Sequence, residues 1–86
     1  MTKWISVKDR LPDKDGDYLV TRKVFNKPIV GKSSFAKNLY TVDQFDFHNK
    51  RRAGWYYYDS EYGFGEETDV IAWQELPEPY KEEENE

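Results

Sequence analysis

Leu, Ile, Val and Phe together supply only 18 of the 86 residues, and this shortage constrains what the chain can fold into more than any other feature. That fraction lies just above the range in which chains stay disordered. Three Trp and seven Tyr make up the deficit, because each large aromatic can bury on the order of 150–250 Å². The expectation is one small folded domain over residues 1–80 with an aromatic core, since a chain of this length has no room for a second core.

Several chemistries fall away at once. The chain has no Cys, which removes disulfides, thiolate nucleophiles and cysteine-based metal centres. One His, His48, reads as a solvated loop residue rather than a ligand. The longest uncharged apolar stretch is Val70–Trp73, far short of the roughly 20 residues that span a bilayer, and residues 1–10 contain no apolar signal core. A cytoplasmic protein with no membrane contact, no metal and no cofactor is the resulting expectation.

Charge is unevenly distributed. Residues 21–58 carry eight basic side chains against Asp43 and Asp46, residues 59–76 carry six acids and no base, and residues 77–86 carry five Glu against Lys81. A basic middle is thus followed by an acidic last third. One consequence needs no partner: strands of opposite sign pair favourably across an antiparallel sheet.

Apolar alternation and turn chemistry predict a single antiparallel meander of about four strands, mainly β or small α+β, with little or no long helix. Trp4–Val7 reads as a short extended segment and Asp9–Asp17 as a loop. Tyr18–Val24 is the first long strand, with Tyr18, Val20 and Arg22 on one face. Pro28–Val30 is at best a short edge piece between the turn clusters at residues 26–28 and 31–34, and residues 32–38 allow a short helical turn. From Leu39 to Phe47 the apolar positions change phase, which predicts a strand with a β-bulge near Asp43–Gln44. His48–Gly54 follows as a hairpin loop, Trp55–Tyr58 as the third strand, Asp59–Asp69 as a loop and Thr68–Trp73 as the fourth strand, ended by Leu76–Pro79. Trp4, Leu11, Val20, Trp55, Ile71, Trp73 and Leu76 are the expected core, and residues 81–86 read as a disordered acidic tail.

Trp4-Ile5-Ser6-Val7, Asp9-Arg10-Leu11-Pro12, Gly16, Tyr18-Leu19-Val20, a central Trp55, and Val70-Ile71-Ala72-Trp73 closing on Leu76-Pro77-Glu78-Pro79 together resemble the family known as domain of unknown function 551. The resemblance spans nearly the whole chain and is most specific at its two ends. It implies a bacterial or phage cytoplasmic setting and an accessory role, and it brings no assigned catalytic residue. Members often carry Thr-His-Trp at the last strand where this chain has Ile71-Ala72-Trp73, so no role resting on that His transfers.

Lys50-Arg51-Arg52-Ala53-Gly54-Trp55-Tyr56-Tyr57-Tyr58 is the richest candidate for function, with bases beside aromatics. Trp55 and Tyr57 leave one face of a strand and Tyr56 and Tyr58 the other, so one pair is expected in the core and the other exposed. The favoured reading is a non-enzymatic phage or prophage accessory protein that binds a host or phage protein through Arg51, Arg52, Tyr56 and Tyr58. The alternative is a binder of a small anionic ligand such as a nucleotide, as a homo-oligomer in one version. Single-stranded nucleic acid ranks below both, and a pI near 5.0 opposes duplex binding. The acids of residues 59–69 lack calcium-loop spacing, and nothing in the order of residues separates an acid from a base.

Overall fold

In the computed structural model, residues 3–80 are described, so the acidic residues 81–86 lie outside it. Six strands form one antiparallel sheet: β1 (Ile5–Ser6), β2 (Gly16–Val24), β3 (Lys27–Ala36), β4 (Gly54–Asp59), β5 (Gly63–Glu67) and β6 (Val70–Glu75), in the order β1-β6-β2-β3-β4-β5. The architecture is mainly β with almost no helix, as the sequence predicts, but with six strands rather than about four. Pro28–Val30 belongs to the ten-residue β3, which runs through the expected turn at residues 31–34 and holds residues 32–36 of the expected helical turn extended. The stretch read as an Asp59–Asp69 loop contains β5.

Connectivity forces the sheet to curl. Strands β5 and β6 are four positions apart in the sheet, about 19 Å if it were flat, yet only Thr68 and Asp69 join them, a link that spans at most about 11 Å. The far edge must therefore swing back towards β2. It does: Arg22 Nε on β2 lies 3.2 Å from Glu67 Oε1 on β5, and the Lys23 amide donates to the Asp69 carbonyl at 3.0 Å.

The inside of this curl is the aromatic core. Tyr18, Val20, Phe35, Trp55, Val70 and Trp73 are buried together, with Ile5, Val7 and Ala53 packed against them. Tyr18 meets Trp73 and Trp55 edge-on at 5.3 and 6.0 Å, an arrangement that aligns ring edges with ring faces. Burial, reinforced by the Glu75, Asp13 and Asp15 charges, raises the Tyr18 phenol above its ordinary value, and its hydroxyl donates to the Lys14 carbonyl at 2.8 Å.

Val20, Trp55 and Trp73 thus occupy the expected core, whereas four other residues do not. Trp4, Leu11, Ile71 and Leu76 are each roughly 40 % exposed. For Ile71 the reason is a bulge: Thr21 pairs Ala72 but Arg22 pairs Val70, so Ile71 is the extra residue, and Val70 and Trp73 can both face inward although three apart. The chain ends do pair, through Ile5 opposite Trp73, and strand alternation then turns Trp4 away. In the Leu11-Pro12 pair it is Pro12 that is buried. The Trp73 indole N–H donates to the Arg10 carbonyl at 2.9 Å, and the Arg10 guanidinium lies 5.5 Å from the Trp73 ring, fixing this loop on the core.

Leu39–Phe47 is not a strand. Asn38 caps a short 3-10 helix over Leu39–Thr41 by accepting the Tyr40 amide at 3.1 Å, and Asp43 Oδ1 accepts the Phe45 and Asp46 amides. The change of apolar phase records this winding, not a bulge. Leu39 and Phe47 bury with Ala36 on the outer face of the sheet, against Val42, Tyr56 and Phe64. Gly54 lets the segment close on β4, since a Cβ there would stand 2.7 Å from Leu39 Cδ1.

Candidate functional site

The β2–β3 hairpin closes through Phe25 and Asn26 at φ 51° and 65°, so both central residues of a two-residue turn are left-handed. Turns of this kind suit Asn and Gly, which reach positive φ at low cost. A bulky Phe does not, and the conformation costs about 1–2 kcal/mol. Nothing in the described structure offsets it by packing, because Phe25 is 94 % exposed.

The rest of this hairpin is equally unsupported. β6 leaves β2 after Arg22, and β4 pairs with β3 only over Ser34–Ala36, so Lys27–Ser33 keeps β2 as its one strand neighbour. The result is an arm beyond the curled sheet, with Ile29 42 % and Val30 58 % exposed. With Val24 and Lys27 as the hydrogen-bonded pair that closes the turn, the outward backbone groups of β3 belong to Pro28, Val30 and Lys32. Pro28 has no N–H and Lys32 carries a charge, two devices that discourage another strand from adding to an edge. What the arm presents outward is therefore the side chains at its tip. Lys23 and Lys27 flank Phe25, and neither enters an ion pair among the described residues.

Arg51, Arg52, Tyr56 and Tyr58, the residues singled out by sequence, do not form one patch. Arg52 makes a bidentate pair with Glu66 at 2.8 and 2.9 Å. Arg51 lies 3.7 Å from the Tyr40 ring centroid. Tyr56 is half-buried against Phe47 and Phe64. Tyr58 is 63 % exposed beside Phe64, about 13 Å along β4 from Gly54. Along β4 Trp55 is buried and Tyr56 half-buried while Tyr57 and Tyr58 are exposed, so neither Trp55 with Tyr57 nor Tyr56 with Tyr58 is wholly core.

The opposed charges of middle and last third meet inside the molecule. Arg22 reaches Glu67 and Asp69, and Lys50 joins Arg52 on Glu66. These pairs run across the curl and from the 50–52 loop, not between neighbouring strands. The Arg52 hydrogen bonds, with the Arg52 charge and Lys50, hold the Glu66 carboxyl below its ordinary value near 4.5 against an opposing effect of burial. A carboxyl whose folded value is depressed stabilises the fold fully above about 4.5 and loses that contribution as pH falls through the lowered value. Glu66→Gln is accordingly expected to be less stable than the parent in urea unfolding at pH 7, with the gap narrowing at pH 3. A constant gap across that range would detach the effect from ionisation.

Asp59 Oδ1 accepts the Glu61 and Tyr62 amides, and Asp46 Oδ2 accepts the Phe64 amide, so these two acids have local partners. Among the described residues no helix is long and apolar enough to cross a membrane.

Phe25 carried no signal in the sequence beyond a Phe-Asn pair between two β-rich runs. What sets it apart is a backbone angle and an exposure that only three dimensions supply. No curated protein and no solved structure matches the chain. The model of the family described as "Protein of unknown function (DUF551)" matches residues 3–81, so that the paired chain ends, the Arg10–Trp73 contact and the curled sheet all fall within it, and the chain belongs to the DUF551 family.

Proposed function

We propose that this protein is a non-enzymatic binding module that recognises another protein through the β2–β3 arm, with Phe25 as the anchor. The carrying observation is the exposed Phe25 at φ 51°: a large apolar side chain held in a costly backbone conformation with no packing return. Backbone strain of this kind persists where a function retains it. Binding energy concentrates in a few aromatic anchors seated in a partner's pocket, and an arm clear of the sheet can enter one. Lys23 and Lys27 beside the tip favour a pocket rimmed by carboxylates. The setting we assign is the cytoplasm of a bacterial or phage-infected cell, with an accessory role there.

Site-specific photocrosslinking tests this directly. With p-benzoylphenylalanine in place of Phe25, irradiation in such a cell is expected to give one dominant covalent product. The same group in place of Phe45, which is 86 % exposed, is expected not to give it. No product from position 25, or the same products from both positions, would remove the arm as the recognition element.

A further inference from the structure

Away from the arm, one exposed cation is held in place with no acid to neutralise it. Arg51 Cζ lies 3.7 Å from the centre of the Tyr40 ring. At that distance the carbon itself touches the ring face, so the planar guanidinium lies flat on it and its N–H groups point sideways rather than into the ring. The backbone on either side is fixed as well: the Tyr40 amide donates to the Lys50 carbonyl at 3.2 Å and the Leu39 amide to the Arg52 carbonyl at 2.8 Å. Tyr40 is held in turn through its hydroxyl, which donates to Gln44 Oε1 at 3.0 Å. Arg51 enters no ion pair among the described residues.

His48, Asn49, Arg51 and Arg52, all exposed, line a solvent-open cavity of about 410 Å³. That is within the range of about 300–1,000 Å³ in which small ligands are held. All four side chains carry N–H donors and none is acidic. Tyr56 and Tyr58 take no part in it. Arg52 is not used up by Glu66, because its bonds to Glu66 and to the Ala53 carbonyl engage Nη1 and Nη2 and leave Nε. Nor does Glu66 cancel the positive charge beside the cavity, since that single carboxylate is shared by Lys50 and Arg52.

We propose that this cavity binds the phosphate of a small phosphate monoester, with Arg51 as its main contact. A guanidinium already flat on an aromatic face loses little freedom when it pairs, and its fork matches two phosphate oxygens. Donors from His48, Asn49 and Arg52 approach from further directions, which suits a tetrahedral anion better than a planar carboxylate. A small ligand fits the charge of the whole molecule: a formal net charge of -4 opposes a long polyanion, while a single phosphate responds to the cations within a Debye length of about 8 Å. The site does not rest on the reading of Phe25.

The test uses the full ¹⁵N-labelled chain titrated with methyl phosphate at constant ionic strength. Saturable shifts are expected in the backbone amides of residues 48–52 and in the Arg51 side-chain N–H. Arg51→Lys keeps the charge but loses the flat fork, and Tyr40→Leu removes the face on which the fork rests; each is expected to weaken binding about tenfold. Acetate, which is planar, and dimethyl phosphate, a singly charged diester, are each expected to bind at least about tenfold more weakly than methyl phosphate. Shifts that do not saturate, or Arg51→Lys binding like the parent, would overturn the site and leave only diffuse attraction to positive charge. Equal or tighter binding of acetate would overturn the ligand class. Equal or tighter binding of dimethyl phosphate would overturn the monoester in favour of a nucleic-acid backbone.

Discussion

Phe25→Asn is expected to raise the thermal midpoint and to abolish partner binding at the same time. Asn tolerates the left-handed backbone that Phe adopts at φ 51°, so the substitution relieves about 1 kcal/mol, or roughly 4–8 °C for a domain of this size. No packing is lost in exchange, because the ring is 94 % exposed. Binding should fall by at least about 30-fold if the ring is the anchor. Phe25→Ala separates the two effects: it removes the ring but keeps a β-carbon at positive φ, so binding should fall while stability barely moves. Calorimetry gives the midpoint, and titration of the crosslinked partner gives the affinity. A stabilised Phe25→Asn that binds like the parent would leave the strain real and the anchor disproved.

Such a trade of stability for exposure is invisible to pattern reading, and the rest of the fold shows where pattern reading works. Tyr18–Val24 alternates cleanly, has one face in the core, and appears as β2 with the expected faces. The aromatic core also follows from composition, since 18 aliphatic and Phe residues leave Tyr and Trp to fill it. Failures cluster where local chemistry and long-range pairing disagree. Gly31-Lys32-Ser33-Ser34 has turn composition, yet pairing with β2 holds it extended, with Gly31 opposite Val20. Gly63-Phe64-Gly65-Glu66-Glu67 is too polar and glycine-rich to read as a strand; its extension comes from β4 beside it and from Arg22, Lys50 and Arg52, whose charges receive Glu66 and Glu67. The residues of the predicted basic and aromatic patch are spread for a related reason. Arg52 is held by Glu66, fourteen residues away, while Arg51 lies over the Tyr40 ring, and sequence order reveals neither meeting.

The segment between β3 and β4 yields the largest expected loss of stability, from one residue of an apparently equivalent pair. On the strand reading, Phe45 and Phe47 are two apart, share a face and should be buried together. In the structure Asp43 winds the chain between them, so Phe47 is 2 % exposed against Tyr56 and Phe64 while Phe45 is 86 % exposed. Phe47→Ala should therefore cost about 3–5 kcal/mol by emptying the centre of the outer cluster. That is a large share of the roughly 4–13 kcal/mol expected for 86 residues, and it lowers the midpoint by about 12 °C or more. Phe45→Ala should stay within about 0.5 kcal/mol of the parent. Urea unfolding of the two variants decides between the geometries, since a strand requires comparable losses and the wound segment requires the asymmetry. Equal effects would return Leu39–Phe47 to the sheet and remove the outer cluster as an independent source of stability.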